Sequence, residues 1–569
     1  MTVPGPAPGR SWSRVERRLA AVIVLLAAAL WAPRLQGPLD LRYDAGVYYI
    51  LGRSLAEGHG YRLLNEPGAI EAIQYPPVLP AVAALHQLAL GTRDPVVVGH
   101  ALRLMMALLF LGYALASFAL ARRYLSPGFA FAAALLAILN AQVVFLSNYF
   151  AADLPYTAVS LFFFLAPAGF AAGALAVTAF GLRTAGVALL AAWAAQSLMQ
   201  RRWREAGARL AVGALAVGSW QAYVHQVKSG AEYARPAYSY QRAAYQFYNV
   251  GYVENMSYVD PFRPELGMVG RRELAARLGT NLETMTTALG EAATLERGWL
   301  VGEVERVRER LPGLAPPDWA VSVTLGVMSA MVIGGLVLLA RAGYWLPAMY
   351  VAGSIALIVV TPWPGQFSRY LVPLAPILAL ALVSVPAAVA GRARRSGSRG
   401  WRTAAMAGHA LIAFVVAQEV YTVYKLFAKH HQPAVMTDAG GRIHHFRLFF
   451  YDQAWQLHDA GLDWIGHAAP QQAIIATSTP HLAYLRTGRR AVMPPFERDS
   501  TKAAALLVGV PVTYLVVDQL SFLDVSRRYA APVPRVAAAE WPLVYATSDS
   551  GPRIYRRAEV KAAAAMGSK

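Results

Sequence analysis

The stretch that decides the fold is Asp44–Val82, "DAGVYYILGRSLAEGHGYRLLNEPGAIEAIQYPPVLPAV". It follows an apolar run, "LAAVIVLLAAALWAP" at 19–33, and precedes a chain made mostly of further apolar runs. Asp44, Glu57, Glu66 and Glu71 therefore stand just beyond a first membrane segment. Carboxylates collected at such a boundary have to be solvated or partnered. The segment thus reads as a polar loop with work to do at the edge of a membrane domain.

The 569-residue composition agrees, at 56% hydrophobic and 15% charged, against about 25% charged in ordinary soluble domains. The formal net charge of +19 suggests nucleic acid only until it is read by position. Lys and Arg of a membrane protein gather in cytoplasmic loops, so no nucleic-acid partner follows. The chain has no cysteine, which excludes disulfides, thiolate metal sites and thiol catalysis.

Later apolar runs lie near 96–120, 128–147, 154–170, 171–182, 184–200, 207–224, 319–340, 344–361, 370–390 and 403–425. With the first run these predict about eleven spans, although a span ordinarily needs about 20 residues and the runs between 154 and 182 are short. The first run is read as an uncleaved span, since no clear cleavage site follows it. Arginine clusters set the orientation: Arg10, Arg14, Arg17 and Arg18; Arg122 and Arg123; Arg201, Arg202, Arg204 and Arg209; and Arg392, Arg394, Arg395, Arg399 and Arg402. With all of them cytoplasmic, the N-terminus is inside, and 37–95, 225–318 and the C-terminus lie outside.

Residues 44–57 and 76–90 read as interfacial helices, the first amphipathic, and 270–310 as charged helix. In the C-terminal piece, "DQAWQLHDAGLDWIGHAAP" and "HLAYLRTG" read as helices, "AIIAT" and "VTYLVVD" as strands. The expected fold class is an α-helical polytopic membrane protein over 1–425 with a small extracytoplasmic α/β domain over 426–569.

Ionisable groups at the outer ends of spans are the candidates for chemistry. Asp44 and Asp153, the latter in "SNYFAADLPY", fall at similar predicted depth on different helices and suit general base work. Arg183, in "FGLRTAG", and Arg369, in "PGQFSRYLVPLAP" beside Tyr370, suit a phosphate, which a guanidinium grips with two parallel hydrogen bonds. The plain alternative for each is a solvated interface residue. His225 is the candidate metal ligand; His444 and His445 are adjacent and do not share a face. The aromatic stretch 238–258, "YSYQRAAYQFYNVGYVENMSY", suits sugar or lipid headgroups as well as an interfacial belt. Walker A, dinucleotide and Gly-x-Ser-x-Gly patterns are absent from the sequence.

Taken in order, "SLAEGHGY", "YPPVLPAVAAL", "ARRYL", "SNYFAADLPYTAVSLFFFL", "GLRTAGVALLAAW" and "SRYLVPLAPILALAL" make the chain similar to the GT-C superfamily of integral-membrane glycosyltransferases. The nearest branch holds the protein O-mannosyltransferases and the lipid A aminoarabinose transferase. The likeness covers nearly the whole chain, through order and topology rather than one strong motif. It implies transfer of a sugar from a polyprenyl (undecaprenyl or decaprenyl) monophosphate carrier, on the outer face of the plasma membrane, to a lipid, glycan or protein of the cell envelope. On that reading Asp44 and Asp153 are catalytic, and Tyr48, Tyr75, Glu71, Arg183, Arg369 and Tyr370 bind substrate. The chain departs from the branch in having Asp44-Ala45 where Asp-Glu is common. Gln74 and Tyr75 stand where an acid and a lysine precede the proline, with Glu71 the nearest acid, and His225 matches a family histidine only loosely. These departures argue against copying a metal site from that branch; no cofactor is implied with certainty, and a divalent metal stays open. The competing class is a transporter or flippase of lipid-linked sugars, whose inverted repeats and midplane polar sites the sequence does not show.

Overall fold

The computed structural model describes residues 11–558 apart from 168, 315, 522 and 523; Arg10 and the tail 559–569 assigned above to the C-terminal domain lie outside the described residues. Each apolar run becomes a helix. They are α1 Arg14–Trp31, α4 Pro95–Ala121, α5 Pro127–Leu139 continued by α6 Ala141–Leu146, α7 Asp153–Leu165, α8 Phe170–Leu182, α9 Val187–Met199, α10 Trp203–Lys228, α13 Trp319–Arg341, α14 Trp345–Ile358, α15 Ala375–Ser396 and α16 Arg399–His430. Between them stand α2 Asp44–Ala56, α3 Val78–Ala89, α11 Arg271–Ala293 and α12 Arg297–Arg310.

Among the described residues four helical segments, Pro95–Ala121, Trp319–Arg341, Pro364–Ser396 and Arg399–His430, are long and apolar enough to cross a membrane. α7, α8 and α9 have 13 residues each, about 20 Å of helix at about 1.5 Å per residue. They fall short of the roughly 30 Å hydrocarbon thickness, and α7 is wrapped by protein over most of its length. Large apolar side chains point outward all round the bundle, among them Phe170, Leu215, Leu108 and Phe414, as suits a lipid-facing surface rather than a soluble one.

Close helix contacts rest on small residues. At Gly335 of α13 a Cβ would stand 1.8 Å from the Ala381 carbonyl oxygen of α15, so only glycine lets the two backbones meet there. That contact fixes the helix whose approach carries Arg369. Glu16 of α1 and Arg122, at the end of α4, pair at 3.2 Å, which puts two of the arginine clusters at one end of the bundle.

The interfacial reading of 44–57 is corrected. Ala45–Gly52 are all buried, because α3 packs along one side of α2 and the C-terminal region covers another. Within 76–90 lies α3, with Leu85 and Leu88 exposed on it and Leu90 just after it, and within 270–310 lie α11 and α12, separated by a short break.

After α16 the chain makes an antiparallel hairpin, β1 His431–Thr437 with β2 Ile443–Phe449. A five-stranded mixed sheet follows in the order β4-β3-β5-β7-β6. Its strands are β3 Ile474–Ala476, β4 Arg490–Val492, β5 Tyr514–Val517, β6 Leu543–Ala546 and β7 Arg553–Arg556. β4, β3 and β5 run parallel, and β7 lies antiparallel to β5 and β6. The helices α17 Gln453–Ala468, α18 Pro480–Thr487 and α19 Ser500–Gly509 complete it. Edge strand β4 is sealed by the loop between α2 and α3. The Ala491 amide donates to the Asn65 carbonyl at 2.8 Å, and the Asn65 side chain donates back to the Ala491 carbonyl at 3.1 Å. An edge so paired offers no template for aggregation.

Candidate active site

Asp44 is placed by the residues just before it. Tyr43, capping α2, sits at φ +55°, a strained conformation for a residue with a Cβ. Its ring is held between Tyr149 and Trp455 of α17, with centroids 5.6 and 5.5 Å away. Arg42 pairs with Asp40 at 2.7 Å and donates to the Phe449 and Phe450 carbonyls at 2.7 and 3.0 Å. The start of α2 is thereby tied to the C-terminal hairpin. At Gly46 a Cβ would lie 3.1 Å from the Cβ of His481, so the absent side chain lets α18 approach.

Asp153 opens α7, where the helix dipole favours a carboxylate, and its side chain is only 1% exposed. Arg183 lies in the break between α8 and α9, and Arg369 in a short turn, Phe367–Leu371, before α15. These four elements converge into an alternating line of charge. An Arg369 nitrogen lies 2.6 Å from Asp44 Oδ2 and 3.6 Å from Asp153 Oδ2, and Arg183 is hydrogen-bonded to Asp153 Oδ1. The Arg183 guanidinium stands 5.9 Å from the Tyr370 ring.

Aromatic rings wall this line. Tyr48 and Tyr75 are 4.7 Å apart, and Tyr75 also meets Tyr248 and Tyr252 at 6.4 and 6.2 Å. The Tyr248 hydroxyl donates to Asp44 Oδ1 at 3.1 Å. Burial, with the Asp44 carboxylate beside it, pushes the Tyr248 phenol well above its usual range, so it remains a donor. His481 meets the Tyr248 ring edge-on at 4.6 Å. Burial drives its imidazole down to about 3, against the pull of Asp44, and its Nε2 has no partner. A neutral ring with an unused nitrogen thus stands one ring away from Asp44.

The structure therefore unites Asp44, Asp153, Tyr48, Tyr75, Arg183, Arg369 and Tyr370. It sets Glu71 apart: that side chain faces Arg62 at 3.9 Å, and its amide donates to Glu232 at 3.0 Å. His225 is exposed on α10. Among the described residues no three His, Asp or Glu groups lie where they would hold a metal ion. Asp44 and Asp153 are already matched by guanidiniums, so the donor set does not fit a divalent cation and no step is derived through one. Sequence reading missed His481 and singled out none of the tyrosines within 238–258. The density of that stretch was the available signal for Tyr248 and Tyr252, and His481 offered none.

No family model and no curated protein matches the chain. Among solved structures it is similar to ArnT from Cupriavidus metallidurans bound to undecaprenyl phosphate, at 14% identity and TM-score 0.46, over 95% of this chain and 98% of that one. The apo state of that protein gives 13% identity and TM-score 0.40 over the same shares, 95% and 98%. An Archaeoglobus fulgidus oligosaccharyltransferase, tethered with an acceptor peptide containing the NVT sequon, gives 12% identity and TM-score 0.50, over 96% of this chain and 74% of that one. At 12% identity the likeness to the oligosaccharyltransferase is one of architecture. Together with the order of helices and the site they bring together, it establishes that this chain is built on the GT-C fold of integral-membrane glycosyltransferases.

Proposed function

We propose that the chain is an inverting glycosyltransferase of the bacterial plasma membrane. It takes a sugar from a polyprenyl monophosphate and passes it to a hydroxyl of a cell-envelope acceptor on the outer face. The observation that carries this reading is the alternating line Asp44–Arg369–Asp153–Arg183. A purely structural pair in this fold, Arg42 with Asp40, is sealed at 3% and 1% exposure; Arg369 and Arg183 keep 28% and 21%. Two guanidiniums reachable from outside, each beside a carboxylate, are what a phosphate-leaving displacement requires.

In the proposed step the acceptor oxygen attacks the anomeric carbon and its proton goes to Asp44. The bond from that carbon to the phosphate oxygen breaks on the opposite face. The donor phosphodiester carries one negative charge and the departing monoester gains a second. Arg369 and Arg183 meet that developing charge, the kind of fixed electrostatic stabilisation that is often the largest catalytic contribution. An arriving phosphate competes with Asp44 for Arg369, and its binding frees the carboxylate to act as base. Asp153 keeps both arginines in place. Tyr48, Tyr75 and Tyr252 offer ring faces to the sugar, and Tyr248 orients Asp44. His481 Nε2 is a hydrogen-bonding partner for the acceptor hydroxyl.

The arginine clusters support an orientation with the site, both large loops and the C-terminal region outside. A transporter reading would call for inverted repeats, which the sequence does not show. Mass spectrometry of lipid co-purifying with the detergent-extracted protein tests the donor class. A polyprenyl phosphate or its glycoside is expected, retained by the wild type and lost from Arg369→Gln. Retained phospholipid with no polyprenyl species would count against the proposal.

A further inference from the structure

A cavity lies away from the charged line. It is a groove of about 970 Å³ between the first outer loop and the C-terminal region. Pockets for organic ligands usually fall between about 300 and 1,000 Å³ and favour boundaries between units of a fold. His59 and Arg62 line one side, and Gln471, Gln472, Tyr484 and Arg490 the other.

Two helices link this groove to the site. α2 begins at Asp44 and leads to Glu57, which lines the groove, a run of about 20 Å at about 1.5 Å per residue. α18 carries His481 near its start and Tyr484 one turn later. The two helices pack together where Gly46 meets His481.

The lining chemistry narrows the occupant. Leu64 and Ile474 are its only aliphatic side chains of any size, too little for a lipid chain. Glu57 stands among the cations and is paired with Arg53 at 2.8 Å, which disfavours a strongly anionic ligand. Gln471 and Gln472 are exposed, and each amide has donor and acceptor atoms. Tyr484, with Arg53 5.7 Å over its ring, gives a half-buried aromatic face. Amides, guanidiniums and a ring face together suit an uncharged polyhydroxylated chain.

Building on the glycosyltransferase reading, we propose that this groove binds the non-reacting length of a linear polysaccharide acceptor, whose reacting end lies at Asp44 and His481. The acceptor is then a glycan several sugars long, held remotely by groove contacts. A short acceptor reaches the site without using the groove.

The test uses the full-length protein in lipid nanodiscs. The probes are neutral cell-wall polysaccharide fragments from the source cells, released by mild acid and sorted into one- or two-sugar and six-or-more-sugar pools. Calorimetric binding is measured for the wild type, Gln472→Trp, which fills the exposed groove, and Tyr484→Ala. The long pool is expected to bind the wild type and to weaken about tenfold or more in both variants. Binding of polyprenyl phosphate is expected to stay unchanged, which also reports an intact fold. Long fragments that fail to bind the wild type, or bind all three proteins alike, overturn the proposal. So does inorganic phosphate binding the groove as well as the glycan does. Groove-dependent glycan binding without sugar transfer from any polyprenyl phosphate would uphold the groove and refute the glycosyltransferase reading, so the two failures are distinguishable.

Discussion

Replacing Arg369 separates its electrostatic role from a structural one. The side chain bridges two carboxylates, at 2.6 Å to Asp44 and 3.6 Å to Asp153. Arg369→Gln leaves Asp153 still hydrogen-bonded to Arg183 and Asp44 still hydrogen-bonded to Tyr248. Asp44 is 16% exposed, so water takes over part of the lost attraction, and the stability cost falls between the roughly 1 kcal/mol of an exposed pair and the roughly 3 kcal/mol of a buried one. Arg183→Gln is different, because Asp153 is 1% exposed and loses its hydrogen-bonded partner; a buried carboxylate so stripped costs about 3 kcal/mol or more. Turnover reverses the balance. Removing one fixed donor to a developing oxyanion costs about 10²–10³ in kcat, so Arg369→Gln is expected to stay folded and lose about that factor. Arg369→Lys keeps charge without the two-pronged geometry and is expected between it and the wild type. The assay pairs thermal unfolding in detergent with single-turnover transfer from a polyprenyl phosphate sugar. Arg369→Gln with turnover within about threefold of wild type would refute the reasoning.

His481→Phe keeps a ring against Tyr248 and removes Nε2; kcat is expected to fall about tenfold or more with donor affinity unchanged, whereas a purely space-filling histidine predicts no change. Glu66 is buried beneath Tyr238 and Gln241, which donate to it at 2.7 and 3.0 Å, and burial raises its carboxyl above the usual range. The folded state therefore holds that proton more tightly than the unfolded one, and stability falls as pH rises from the unfolded value, about 4.3, through the raised folded value. Glu66→Gln is expected to raise the melting temperature at neutral pH, with the gain vanishing below about pH 4; a gain independent of pH contradicts this. Asp549→Cys, at an exposed turn of this cysteine-free chain, is expected to react with an impermeant thiol reagent in spheroplasts. Labelling only after lysis would reverse the orientation.

The charged core of the site was legible because an ionisable residue at the end of an apolar run is conspicuous whatever its partners. Asp44, Asp153, Arg183 and Arg369 were all marked that way, although their mutual pairing required the fold. The burial of α2 was not legible. α3 covers one side, but the cover on another comes from α18, more than four hundred residues later, so the local pattern resembled an interfacial helix. His481 escaped for the same reason: in "HLAYLRTG" it is one polar residue on a short helix, and only the approach at Gly46 makes it part of the site. In the C-terminal region the apolar strands β3 and β5 were read, while β1 and β2 were not. Their alternation is broken by polar and charged side chains, and the turn "DAGG", where Asp438 accepts from the Gly440 amide at 3.0 Å, was the signal passed over. Short helices such as α7 had blurred boundaries because they are buried by neighbours and carry less of the lipid-facing signal.

The most direct measurement is sugar transfer by the purified protein in nanodiscs, supplied with radiolabelled polyprenyl phosphate sugars and a cell-envelope extract, with wild type and Asp44→Asn side by side. Asparagine keeps the size of the side chain and an oxygen facing Arg369 or Tyr248 but cannot take up the acceptor proton. The account predicts transfer by the wild type with inversion at the anomeric carbon, and an Asp44→Asn protein that binds the donor yet transfers at least about a hundredfold more slowly. Transfer by Asp44→Asn at a near-normal rate, or a wild type that moves no sugar from any polyprenyl phosphate, would contradict it.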